Sequence, residues 1–224
     1  MYNDLNMNTK KLYFWLAFTI AGLLFSQIKF TQLAGANISF TLFDFFAPVA
    51  GAFLGGLFGI TSVLAVSLVN FLTNGSYAVP ALIRLYPTLF AVWYFSLPPK
   101  QKTNRWVLLF PFLSMVSFWA HPVGREVWYY PLMWLIPLAA YFKRDWLYLR
   151  ALGATFTAHA VGGAAWIWAF NLPSVVWQNL IPVVAAERLL FAAGISAAYF
   201  VFAKALKYLT AKRLISAQLT TPQQ

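Results

Sequence analysis

Ionisable side chains set inside long apolar runs are where chemistry would have to reside. Glu187 and Arg188 stand together in Ala185-Ala186-Glu187-Arg188-Leu189-Leu190-Phe191, Arg84 interrupts the apolar run 79–97, and Asp44 opens another. An ionised group in the hydrocarbon of a bilayer costs at least about 2.5–3.5 kcal/mol on insertion scales, so each of these needs a partner, a cavity or a functional reason. Arginine can extend its head toward water along its own stem; Glu187 is shorter and needs a nearby cation or a proton. Arg84, on another helix, is the expected cation, because Arg188 points about 100° away around the helix from Glu187. Two arginines against one glutamate leave one positive charge in excess, which suits a carboxylate-bearing solute. The alternative is that these residues are ion pairs tying helices together.

His159 is the second candidate. Thr155, His159 and Gly162 share one helical face. This histidine is either a packed, hydrogen-bonded residue or a ligand contact and proton carrier. Asn70, Asn171, Gln178 and Asn179 sit at ends of apolar runs, and His121, Arg125 and Glu126 fall between two of them. Trp166, Trp168 and Trp177 flank the same end and could stack on a flat ligand. The other aromatics near segment ends, among them Phe14, Trp15, Trp119, Trp128, Tyr129, Tyr130 and Trp134, read as an interfacial belt. The chain has no Cys and only two His, which excludes disulfides and thiolate metal sites, and no metal site is expected. No G-x-S-x-G, H-E-x-x-H or P-loop occurs, so no cofactor is expected and the chain does not itself power transport with ATP.

The elements that must hold these residues are helices in lipid. Of 224 residues, 61% are hydrophobic and 9% charged, where soluble domains are near a quarter charged. A soluble fold of this size has too much surface to hide so much apolar area. The apolar segments are 12–30, 42–56, 58–73, 79–97, 106–120, 127–142, 149–170 and 179–203. Breaks fall at Gly55-Gly56 with Gly59, Asn74-Gly75-Ser76, Pro98-Pro99 and Asn171-Leu172-Pro173. Lys10 and Lys11; Lys100, Lys102 and Arg105; Lys143, Arg144 and Arg150; and Lys204, Lys207, Lys212 and Arg213 make twelve of the sixteen basic residues. All four clusters reach the cytoplasm if there are eight crossings, with 42–73 folded as a hairpin near Gly55–Gly59. They then act as solvated topology signals, and the net charge of +11 calls for no nucleic acid. Leu12–Ile28 is longer than a signal-peptide core, so the basic pair, this run and Ala34-Gly35-Ala36 are read as an uncleaved first span. The expected fold is an all-α polytopic membrane protein with about eight membrane segments and cytoplasmic N and C termini. It forms one transmembrane domain over 1–224 in the cell membrane, with 214–224 as a frayed tail.

The stretch Phe43-Asp44-Phe45-Phe46-Ala47-Pro48-Val49-Ala50-Gly51-Ala52-Phe53-Leu54-Gly55-Gly56-Leu57-Phe58-Gly59 resembles the second-helix region of substrate-binding (S) components of energy-coupling-factor (ECF) vitamin transporters. Asn70 matches the polar residue that closes the next helix there. Ala17-x-x-x-Ala21 resembles the small-residue motif by which the first helix of that family docks on a transmembrane coupling subunit. The likeness covers residues 12–73, and family members typically have six spans where eight are counted here. It implies capture of a small vitamin-like solute from the outer face, and work in concert with the coupling subunit and ATPases. Two other functions fit the composition: a membrane scaffold that binds other membrane proteins, and an enzyme acting on a lipid with His159 or Glu187 as base. Copurifying ATPases favour the first function, the absence of any small ligand the second, and turnover lost on His159→Ala the third.

Overall fold

Proline and glycine cut the chain into helices where the apolar runs end. The computed structural model describes residues 9–32, 39–73, 77–99 and 104–212. Ala34-Gly35-Ala36, the Asn74-Gly75-Ser76 break, Lys100, Lys102, Arg213 and the tail 214–224 lie outside the described residues. Helix α1 (Thr9–Ser26) leads into a short antiparallel pair, β1 (Lys29–Gln32) and β2 (Ser39–Thr41). Then follow α2 (Leu42–Phe46), α3 (Val49–Leu54), α4 (Gly56–Thr73), α5 (Val79–Arg84) and α6 (Pro87–Ser96). A 3-10 turn at Arg105–Leu108 runs into α7 (Leu109–Ala120), and α8 (Pro122–Glu126) comes next. A second 3-10 stretch, Tyr130–Leu135, runs into α9 (Ile136–Tyr141), and α10 (Leu147–Ala169) and α11 (Ser174–Ala211) complete the chain. Prolines open α5, α6, α8, the second 3-10 stretch and α9 in their first two positions, where the missing N–H costs nothing.

The architecture is helical, as expected, with the β1–β2 pair as an addition that no sequence signal announced. The chain turns at Gly55, whose φ of 84° and ψ of 171° belong to a region essentially reserved for glycine. Beyond it α4 packs back along α3, which makes the expected hairpin. Among the described residues two helices, α4 and α11, are long and apolar enough to cross a membrane by length and composition. With 38 residues, α11 extends beyond the expected 179–203 at both ends and is about 57 Å long.

At the centre lies α10, which packs on α6, α7, α9 and α11. Three apolar clusters surround it or flank it: one between α3, α6, α10 and α11, one between α7, the Tyr130–Leu135 stretch, α10 and α11, and one between α1, α2, α3, α4 and α6. Tyr130, Trp134 and Trp177 are fully buried in the second cluster, which corrects their assignment to an interfacial belt or a ligand-stacking rim. Around Phe118 the rings of Tyr130, Trp134 and Trp177 pack at 5.1–5.4 Å between centroids, one stacked and two edge-on, and this geometry uses their full area.

Arg144 and Arg150 also differ from expectation. Read as solvated loop residues, they are 3% and 4% exposed. Arg144 donates from Nε to the Pro98 carbonyl at 2.9 Å and from Nη1 to the Tyr141 carbonyl at 3.0 Å, and its guanidinium lies 4.1 Å from the centre of the Tyr141 ring. Arg150 donates to the Phe95 carbonyl and stacks over the Phe95 ring at 4.3 Å. These carbonyls lie at the ends of α6 and α9, where helix carbonyls lack intrahelical donors and the dipole is negative. The two arginines therefore clamp helix ends, and the aromatic faces replace part of their lost hydration.

Gly55→Ala should lower stability by about 1–3 kcal/mol, because a Cβ is excluded from that backbone conformation. Gly162→Ala is the control: a Cβ there meets only Pro87, at 3.5 Å or more. A thermal melt of detergent-purified protein should show a lower Tm for the first variant and no decrease for the second.

Candidate functional site

Among the described residues, opposite charges, a hydroxyl and an imidazole meet in a cluster between α10 and α11. Its centre is Arg188, in the second quarter of α11, a helix otherwise studded with Ala, Val and Leu, and 8% exposed. One guanidinium nitrogen, Nη2, sits 3.5 Å from Oε2 of Glu187, and Nη1 donates to Oγ1 of Thr155 on α10 at 3.3 Å. The guanidinium carbon lies 4.5 Å from the Phe191 ring and 5.6 Å from the Phe40 ring. The third nitrogen, Nε, is buried without a hydrogen-bond partner. A buried donor left unmet costs about 1–3 kcal/mol, more when charged.

Asp44 enters from α2. Its carboxylate caps that short helix, accepting from the Thr41 backbone N–H at 2.6 Å and from the Thr41 hydroxyl at 3.1 Å. Its charge also acts on Arg188. Glycine sets this approach: a Cβ on Gly194 of α11 would come within 2.2 Å of the Phe45 ring, so α2 rests directly on α11 backbone. Phe45 and Phe40 then pack on Phe191 at 4.8 Å.

His159 lies one helical turn from Thr155, on the same face of α10. Its Nδ1 accepts from the indole N–H of Trp134 at 2.9 Å, and its Nε2 is 3.4 Å from the Tyr130 hydroxyl. An indole N–H can only donate, so Nδ1 carries the lone pair and the ring is neutral with its proton on Nε2. The Trp134 ring is seated on Gly163, where a Cβ would come within 2.8 Å of it.

The structure thus brings Asp44, His159, Glu187 and Arg188 to one place. It puts Arg84 elsewhere: that residue is exposed at the end of α5, and the ion pair of Glu187 is with its own sequence neighbour. Asn70 also stands apart, accepting from Ser26 at 3.1 Å and from Gln27 at 3.5 Å along the α1–α4 seam. Gly162 faces Pro87 of α6, away from the cluster. Arg125, Glu126, Asn171, Gln178 and Asn179 are exposed, and His121 is half-buried against Trp168. Tyr130 and Trp134 are the members that sequence reasoning missed. Their aromatic character matched a belt equally well, and only the irregular 3-10 backbone carries them inward. On α1, Ala17 is exposed and Ala21 half-buried.

Trp134→Phe keeps the ring and removes its N–H. It should destabilise the protein by about 1–3 kcal/mol through the unmet His159 nitrogen. His159→Leu should then cost less in the Trp134→Phe background than alone, with a coupling of at least about 0.5 kcal/mol in denaturant melts.

No known protein family matches the chain, and no solved structure matches it. Among curated proteins the sequence is 24% identical over 214 aligned residues to an uncharacterized protein of Methanocaldococcus jannaschii, covering 87% of this chain and 71% of that one.

Proposed function

We propose that the chain is a solute-binding membrane subunit of a transporter, similar to ECF S components, that takes a small vitamin-like solute into the Arg188 cluster from the outer face. The observation that carries this reading is that Arg188, one of three buried arginines with an unmet donor, has its free Nε beside side chains, Thr155, Tyr130 and His159, whereas Arg144 and Arg150 are held by backbone carbonyls. A hydrogen-bond acceptor on a solute satisfies that donor, and the Phe40 and Phe191 rings offer apolar contact to a flat ring. One guanidinium already pairs with Glu187 and feels the charge of Asp44. A neutral carbonyl is therefore a better acceptor than the carboxylate that an excess arginine would have favoured.

Eight membrane segments, with both ends cytoplasmic, follow from the basic clusters and are supported by the apolar side chains that the helices turn outward. Tyr13, Ile20 and Leu24 on α1, Leu72 on α4 and Val201 on α11 are 58–67% exposed, which water would penalise and lipid does not. Of the segments other than α4 and α11, α1 and α10 have 18 and 23 residues, and the rest are shorter and packed against neighbours. In this placement the protein is multi-pass in the cell membrane. Of the two bases that the enzyme reading offered, His159 has its Nδ1 lone pair engaged by Trp134, and Glu187 is paired with Arg188.

A native mass spectrum of protein purified from its source membranes should show a retained small molecule. Arg188→Met and Thr155→Val variants that purify as monodisperse protein should lose it at least tenfold. Retention of that molecule by both variants would refute the site. The exposed Ala17, flanked by the bulky exposed Tyr13, Leu16 and Ile20, forms a notch for a partner helix. Ala17→Leu should abolish copurification of a coupling subunit and ATPases from those membranes while leaving the Tm unchanged.

A further inference from the structure

Where the Arg105–Leu108 turn runs into α7, an open groove of about 410 Å³ is lined by Arg105, Trp106, Leu108, Leu109 and Phe112, with Leu138 of α9 as its far wall. All of its walls except one are apolar; the exception is the Arg105 guanidinium at the rim. Leu109, Phe112, Leu113 and Val116 are 41–50% exposed. Their spacing of i, i+3, i+4 and i+7 draws one outward stripe along α7, leading about 10 Å away from Arg105. Trp106, beside Arg105, is 72% exposed. Arg105 is exposed and, among the described residues, makes no ion pair. In the sequence Lys100 and Lys102 precede it.

We infer that this groove binds an anionic phospholipid, with the headgroup phosphate on Arg105 and one acyl chain along the α7 stripe. A track that is apolar along its length and cationic at one end matches an amphiphile with a single negative head. A free phosphate would leave the track unused, and a zwitterionic lipid would gain little from the cation. In the membrane placement proposed above, on which this inference rests, Arg105 lies at the cytoplasmic interface, where anionic lipids are enriched and where an exposed Trp anchors. Arginine presents several donors to phosphate oxygens in a fixed plane, which gives the head a defined orientation.

The test is native mass spectrometry of the full chain in detergent, titrated with phosphatidylglycerol or with phosphatidylcholine of the same acyl chains. The expected result is a preference of about fivefold or more for phosphatidylglycerol, the effect of one basic residue at an anionic surface. Arg105→Gln, a change at an exposed side chain, should remove the preference. Phe112→Ser should weaken both lipids together. Equal binding of the two lipids by the unaltered chain, an undiminished preference in Arg105→Gln, or displacement of phosphatidylglycerol by an equal concentration of inorganic phosphate would each overturn the inference. Extraction of the chain from membranes by alkaline carbonate separates the two levels: release would refute the membrane placement itself, whereas a chain that stays but shows no lipid preference refutes the lipid site alone.

Discussion

A guanidinium kept away from water must look for its hydrogen bonds in protein, and among the described residues three are buried. The idealised cost of desolvating such an ion, about 20 kcal/mol, exceeds the net stability of a domain, so its neighbours are arranged around it rather than the reverse. Arg144 and Arg150 solve the problem with backbone: they cover the carbonyl ends of α6 and α9 and lie on aromatic faces. Arg188 solves it with side chains, through Glu187, Thr155 and the Phe191 ring. The first two arginines are part of the scaffold. Each of the three keeps one nitrogen without a partner, Nη2 of Arg144 and Nε of Arg150 and Arg188, but the third stands in a mixed polar cluster, and for that reason it is where a ligand has something to offer.

The scaffold explains why the cluster can exist. With α10 at the centre, each neighbouring helix has one face against it, and the Thr155–His159 side of that helix is turned toward α11 and the Tyr130–Leu135 stretch. Close approach at Gly163 and Gly194 seats Trp134 and Phe45, and so sets the distance of the imidazole and of α2 from Arg188. Substitution at either glycine would move polar groups several residues away in space. The neutral imidazole, locked by the Trp134 N–H, then serves as a fixed dipole in the cluster rather than as a proton carrier.

Much of this organisation was legible in the residues. The eight apolar segments coincide with the helical stretches to within a few residues except at α11, because proline and glycine stand at the boundaries and their backbone effects are local. Gly55 was readable as a turn for the same reason. Asp44, His159, Glu187 and Arg188 stood out because polar groups in apolar runs are costly wherever the fold puts them. What was not legible depends on long-range contact. Arg144 and Arg150 look like loop cations until the helix ends they cover are known. Arg84 looked like the natural partner of Glu187, yet that carboxylate reaches the adjacent Arg188 because long side chains can bend toward each other across the angle between their Cβ directions. The burial of Tyr130 and Trp134 follows from a 3-10 backbone that has no apolar period to announce it.

The central claim is that lipid is the solvent of this bundle, with the basic clusters on the cytoplasmic side and the approach to Arg188 on the other. Cysteine accessibility measures it directly, since the chain has no Cys of its own. Asp145→Cys, at the exposed turn before α10, and Gln178→Cys, in the exposed first turns of α11, report on opposite ends of α10. In intact cells an impermeant maleimide should label position 178 and reach position 145 only after permeabilisation. Labelling of position 145 from outside, or equal labelling of both in a soluble fraction, would contradict the account.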